Sequence, residues 1–248
     1  MRRSFSYGAA TTQGHAATQE DGFYLDPSKG FFLLANGLGA NSFGAKTAKE
    51  VLQHVAESFR SLAAGGITET SEKSIFTKEQ SYLLDAVKKI HQKILAENHV
   101  KDWLERSATS LLTAWVDEYN RLQVLNCGSS GALLWRNQKF TPMVFPQLLD
   151  SMSSIPVPQQ LLGFSSDLNP DVKELSLQAG DLVILYSDGL SQAVADLQEH
   201  FLMVFHELPR EAGQSLMPLA QGCIQALAGS GLALQNASMV IFECPVSN

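Results

Sequence analysis

The sequence predicts an α+β fold, with antiparallel strands in layers and helices set apart from the strands rather than alternating with them. Two patterns carry that reading. Short apolar runs come mostly in pairs joined by polar turn residues, and two long segments of helical periodicity stand side by side after the first run. Phe31-Phe32-Leu33-Leu34-Ala35 reads as a buried strand ending at the turn signal Asn36-Gly37. From Gly44 to Leu62, Ala48, Val51, Leu52, Val55 and Phe59 recur at steps of three and four, giving a helix with one apolar face. Leu83, Leu84, Val87, Ile90, Ile94 and Leu95 do the same between Lys78 and Ala96, and Thr77 with Gln80 forms a capping box.

Two hairpins follow. Leu111 to Val116 and Leu122 to Asn126 flank Asp117-Glu118-Tyr119-Asn120-Arg121, and Ala132 to Trp135 and Phe140 to Val144 flank Arg136-Asn137-Gln138-Lys139. Residues 146–171, with Pro146, Pro156, Pro158 and Pro170, read as a long irregular segment. A strand over Leu182 to Tyr186, helices near 197–207 and over 214–228, and a strand from Ser238 to Cys244 complete the order. Trp103, Trp115 and Trp135 read as core or half-buried aromatics.

The chain has 248 residues, 45% of them hydrophobic, which is enough to bury a large core. No repeat, low-complexity tract or change of composition marks a linker, so 1–248 is read as a single domain. The formal charge of −7 disfavours a nucleic-acid partner. Cys127, Cys223 and Cys244 form no CxxC pair and read as buried reduced thiols. The N-terminal MRRSFSYGAATTQ lacks the apolar run of a secretory signal, and no stretch approaches the ~18 apolar residues of a membrane span. A cytoplasmic protein without a membrane partner is expected.

Five short segments stand in a fixed order. They are Gln19-Glu20-Asp21-Gly22; Ala35-Asn36-Gly37-Leu38-Gly39-Ala40, followed by Gly44; Asn126-Cys127-Gly128-Ser129-Ser130; Ser187-Asp188-Gly189-Leu190, introduced by Gly180-Asp181; and Gln235-Asn236-Ala237-Ser238. Singly, each is an ordinary turn sequence. Together they resemble the protein phosphatase 2C family of metal-dependent serine/threonine phosphatases, most sharply from Gly180 to Leu190. The resemblance implies a four-layer α/β/β/α sandwich of two mainly antiparallel sheets flanked by antiparallel helices. It also implies Mg²⁺ or Mn²⁺ held by carboxylates and water, lowering the pKa of a water that attacks phosphorus.

Set against the family pattern, Glu20, Asp21, the Gly37 carbonyl and Asp188 are retained. Asn36 stands where the family has the aspartate that bridges both ions, Ser129 where an aspartate serves a further ion, and Gln235 at another metal-binding aspartate. Gln19 replaces an asparagine, and Ala16 occupies the place of the usual phosphate-binding arginine, beside His15. The replacements keep shape and remove charge, so metal binding is expected to be weak or absent. Glu20 and Asp21 are either remnant ligands or a solvated acidic pair, Asp188 either a former ligand or a turn residue, and His15 either a phosphate contact or a plain loop residue. No base accompanies Ser129, Ser130 or Ser187, which leaves a serine nucleophile unsupported. Two functions are therefore expected. One is a pseudophosphatase, a binding or regulatory module for a phosphorylated protein or signalling partner. The other is an active Mg²⁺/Mn²⁺-dependent phosphatase acting on phosphoserine and phosphothreonine. The resemblance suggests kinase-linked signalling or secretion-system regulation in a bacterium.

Overall fold

The apolar runs are continuous rather than alternating because their strands are buried on both faces. In the strand Phe31–Gly39 (β3), Phe31, Leu33 and Ala35 face one core and Phe32 and Leu34 face another. The computed structural model describes residues 4–63, 78–149, 157–191, 202–206, 213–230 and 235–245. Its strands are Tyr7–Thr12 (β1), Asp21–Asp26 (β2), β3, Ser107–Val116 (β4), Arg121–Cys127 (β5), Gly131–Arg136 (β6), Lys139–Val144 (β7), Asp171–Ser176 (β8), Leu182–Tyr186 (β9) and Ala237–Glu243 (β10). They form two antiparallel sheets, in the orders β1-β10-β9-β6-β7 and β2-β3-β4-β5-β8.

Three cores separate four layers, as the resemblance implied. Between the sheets, Phe32 and Leu34 of β3 meet Val183 and Leu185 of β9 and Val240 and Phe242 of β10. The Phe32 and Phe242 rings stack with centroids 4.0 Å apart. The helices Phe43–Ala63 (α1) and Lys78–His99 (α2) cover the second sheet with the stripes read from the sequence, Val51, Val55 and Phe59 on one and Val87, Ile90 and Ile94 on the other. Lys93 of α2 reaches Glu50 of α1 at 2.6 Å, and Phe59 and Leu62 near the end of α1 border the same concavity as Glu79 at the start of α2, so the two helices run antiparallel. The helix Met217–Gly229 covers the first sheet, burying Leu219, Ala220, Cys223 and Leu227 against Ile184, Met239 and Ile241. All three cysteines are buried.

Several expectations change. Asn36-Gly37 does not turn the chain: β3 continues through it to Gly39, with Asn36 opposite Ser110 and Gly37 opposite Thr109. The glycine serves a close approach instead. A Cβ on Gly37 would lie 2.1 Å from the backbone oxygen of Gly44, where α1 begins. Gly37→Ala is therefore expected to cost about 2 kcal/mol or more by pushing α1 off the sheet, read as a lowered urea midpoint. Trp103 is 76% exposed, in a 3₁₀ turn Trp103–Glu105 that buries nothing. β8 starts at Asp171, at the limit of the segment read as irregular. Thr77 of the capping box lies outside the described residues, as does most of the helix expected near 197–207, of which 202–206 is helical.

Candidate functional site

The five sequence segments converge at one end of the two facing sheets. Asp188 follows β9 as the first residue of a helical turn, Asp188–Ser191. Asn36 comes from β3, in the facing sheet, and its Nδ2 donates to Asp188 Oδ1 at 2.5 Å. Ser129, just past β5, donates its hydroxyl to Asp188 Oδ2 at 3.0 Å. Both oxygens of this half-buried carboxylate thus accept from neutral side chains. Thr109 Oγ1 donates to the Asn36 carbonyl at 2.9 Å and fixes the strand that carries the amide.

Asp21 is not a solvated loop residue. It opens β2 directly opposite Asn36, and its Oδ2 accepts from Ser187 Oγ at 2.8 Å. Ser187 Oγ in turn accepts from the Ser238 N–H at 2.9 Å, so β9, β10 and β2 are joined through one hydroxyl. Gln19, in the asparagine position, accepts from the Asp21 N–H at 3.0 Å and donates to Thr11 Oγ1 at 2.8 Å. The Glu20 N–H donates to Asn236 Oδ1 at 2.7 Å, and Asn236 Nδ2 donates to the carbonyls of Thr18 and Gln13 at 2.9 and 3.1 Å. Asn236 therefore clamps the loop that presents Glu20. The sequence reading passed over it in favour of its neighbour Gln235, although it stands inside the same quoted motif.

Glu20 lies against the start of α1, where a Cβ on Gly44 would come within 2.9 Å of Glu20 Cδ. That helix has no acidic residue in its own first turn, so Glu20 supplies the negative charge its N-terminus favours. Glu20 Oε1 and Asp21 Oδ1 are buried and accept no hydrogen bond. Burial raises the pKa of Glu20 and of Asp188; for Asp188, the bonds from Ser129, the Gly189 N–H and Asn36 pull the other way. Asp21 is pushed up to about 7, first by burial and then by the charges of Asp188 and Glu20, against the hydrogen bond from Ser187.

Gln235 is half-buried beside Asn236, and no described hydrogen bond joins its side chain to the carboxylates. His15 is exposed in a turn closed by the Ala16 N–H and the Gln13 carbonyl at 3.2 Å. Among the described residues, no three His, Cys, Asp or Glu side chains are grouped to hold a metal ion. A concavity of ≈ 640 Å³ bordered by Phe59, Trp115, Tyr119 and Arg121 lies at the opposite end of β5 and contains none of these carboxylates.

Two five-stranded antiparallel sheets between helices, with the ordered segments together at one end, define a domain of the protein phosphatase 2C type. A family model described as stage II sporulation protein E (SpoIIE) matches residues 46–236, and the chain belongs to that family. The serine/threonine phosphatase PstP/Ppp of Mycobacterium tuberculosis is similar with a TM-score of 0.76 at 20% identity, over 98% of this chain and 100% of that one. The catalytic domain of PstP in complex with 2 manganese ions gives 0.73 at 22%, over 98% and 99%. PppA, a regulatory component of T6SS in Pseudomonas aeruginosa, gives 0.74 at 14%, over 97% and 98%. At these identities the likeness shows the fold. No curated protein sequence matches this chain. Among the described residues, no helix is long and apolar enough to cross a membrane.

Proposed function

We propose that the chain is a single phosphatase 2C-like domain whose metal site has been degraded, a pseudophosphatase that acts as a binding or regulatory module for a signalling protein. The observation that carries this reading is the capping of Asp188. An ion pair in this cleft would need Asp188 and the residue at position 36 to turn oxygen towards metal. Instead Asn36 turns an N–H towards Asp188, and Ser129 occupies the other oxygen. A neutral donor here does for Asp188 what a cation does in an active site: it compensates the buried charge. Gln235 removes a further charge from the set. The donors present do not fit a binuclear centre.

The second reading, a Mg²⁺/Mn²⁺-dependent phosphatase of phosphoserine and phosphothreonine, draws support from the unpartnered oxygens of Glu20 and Asp21, which a cation would satisfy. Isothermal calorimetry with Mn²⁺ separates the two. The wild type is expected to give no heat of binding at millimolar Mn²⁺. The Asn36→Asp/Gln235→Asp double variant restores both carboxylates and is expected to bind at least about a hundredfold more tightly. A wild type that takes up two Mn²⁺ and hydrolyses p-nitrophenyl phosphate would overturn the proposal.

A further inference from the structure

We infer that the outer edge of β8 takes up an extended acidic segment of a partner protein as one more antiparallel strand. This surface lies apart from Asp188 and its neighbours, and the inference holds whatever they bind.

β8 ends its sheet, and the direction of its backbone groups is fixed. Just past the strand, the Leu177 N–H donates to the Asn120 carbonyl at 2.8 Å, so these two residues form a hydrogen-bonded pair of the ladder. Counting back along the register, Leu175 and Lys173 turn their N–H and carbonyl to β5, and Val172, Glu174 and Ser176 turn theirs outwards. The Ser176 carbonyl accordingly reaches across to the other sheet and accepts from Arg136 Nη2 at 3.1 Å. Among the described residues, no strand pairs with the outward side of Val172 and Glu174. The neighbouring edge of the other sheet, β7, carries Pro142, which has no N–H to give, so β8 is the edge that can be extended.

A concavity of ≈ 500 Å³ beside this edge says which strand fits. Both sheets wall it. Lys139 and Thr141 of β7 stand opposite Arg136 and Leu134 of β6, and Lys173 and Leu175 of β8 stand opposite Val124 and Leu122 of β5. Leu134, Val124 and Leu122 belong to the core between the sheets, and cross-strand partners share a face, so the two lysines turn towards the space between the sheets. Met143 and Leu175, half-buried, give it an apolar floor. In a chain carrying −7, the lining holds three cations and one carboxylate. Asp181 answers Arg136 with two bonds. Lys173 has only Asp171, at 3.7 Å, and no described carboxylate pairs with Lys139. The lining carboxylate, Glu174, stands opposite Gln123 and turns to α2, where it accepts from Gln80 Nε2 at 3.5 Å. Lysines on an edge strand ordinarily ward off other strands. That guard works by charge, so it admits a strand whose acidic side chains face the concavity. Main-chain bonds to β8 supply the affinity and the alternate side chains the specificity.

The test uses the whole chain and the capped peptide Thr-Glu-Thr-Val-Thr-Glu-Thr, with binding read by calorimetry and by ¹H–¹⁵N shifts at Val172 and Glu174. Paired with β8, the threonines turn their N–H groups to the strand, while the Glu and Val side chains face the concavity and their N–H groups face solvent. The acidic peptide is expected to bind at least about tenfold more tightly than its counterpart with Lys for Glu. N-methylation of the two inner threonines should weaken it at least about tenfold, and N-methylation of the valine and one glutamate should leave it within about twofold. The Lys139→Glu/Lys173→Glu variant, which changes two exposed side chains, should reverse the preference between the acidic and the lysine peptide. No binding of the acidic peptide, no preference for it over the lysine peptide, or equal loss from both N-methylated peptides overturns the inference. Indifference to N-methylation at either pair also overturns it, because the concavity would then be a site for anions rather than for a strand.

Discussion

Asp181→Ala is expected to destabilise the protein by about 3 kcal/mol, one of the largest effects of any single polar substitution in the described structure. Asp181 is 3% exposed and sits in the turn before β9. Arg136 grips it with two bonds, Nε to Oδ1 at 2.8 Å and Nη2 to Oδ2 at 2.5 Å, and the Gln178 N–H adds a third at 2.6 Å. The same guanidinium donates to the Ser176 carbonyl at 3.1 Å, so one ion pair ties the end of β6 in the first sheet to the end of β8 in the second. The Asp181 backbone adds a bond from the Cys244 N–H at 2.9 Å. Removing the carboxylate strands a guanidinium whose side chain is only 25% exposed and leaves the Gln178 N–H without its partner. Breaking one side of such a pair costs more than the pair is worth, because the surviving charge remains half-desolvated. Asp181→Asn should fall between wild type and alanine, since one carboxamide oxygen can still accept. Urea unfolding at pH 7 measures the series. An alanine variant within about 0.5 kcal/mol of wild type would show the pair to be dispensable.

The sequence pattern revealed what is buried on both sides. Phe31 to Ala35 and Leu182 to Tyr186 are uninterrupted apolar runs because each feeds two cores, and the helical stripes of α1 and α2 are legible because each helix feeds one. The strands that escaped are β1, β2 and β8. All three are sheet edges, with burial patterns in which few side chains are fully enclosed, and an edge strand of polar and intermediate residues carries little apolar signal. Asn36-Gly37 misled because the dipeptide is a turn signal in isolation, whereas here the glycine answers to Gly44 across the layer boundary. At the cleft, the ordered motifs marked the places of Glu20, Asn36, Gly37, Ser129 and Asp188. They could not show that Asp21 stands at the centre or that Asn236 holds the loop. Those roles depend on bonds between residues 166 and 216 positions apart, Ser187 to Asp21 and Glu20 to Asn236, which no local pattern encodes.

Asp21→Asn is expected to make the protein more stable at pH 8 and to flatten its pH dependence between about pH 4 and pH 7. The Asp21 carboxyl sits at about 7 in the folded chain against 3.8 for the free side chain. Between those values the folded state holds a proton that the unfolded state has lost. Stability from this group therefore falls as pH rises through the window, and the penalty is complete above pH 7. Its size is on the order of 4 kcal/mol. Asp188 and Glu20, also raised, slope the same way. His91, whose Nδ1 accepts from the Gly163 N–H at 3.1 Å, is lowered by burial and slopes the other way, adding stability as pH rises towards its ordinary 6.5. The asparagine keeps an oxygen for Ser187 and places its amide where Oδ1 had no donor, facing the fields of Glu20 and Asp188. One buried charge disappears, and two remaining carboxylates lose a repulsive neighbour. Unfolding midpoints of the two proteins at about pH 3 and at pH 8 decide it. Near pH 3, where Asp21 is largely protonated in both the folded and the unfolded wild type, the two should lie close together. At pH 8 the variant should lead. A variant that trails at pH 8 would mean that the Asp21 charge is compensated by something bound in the cleft, and Mn²⁺ removal by EDTA during the same titration identifies whether that is a metal.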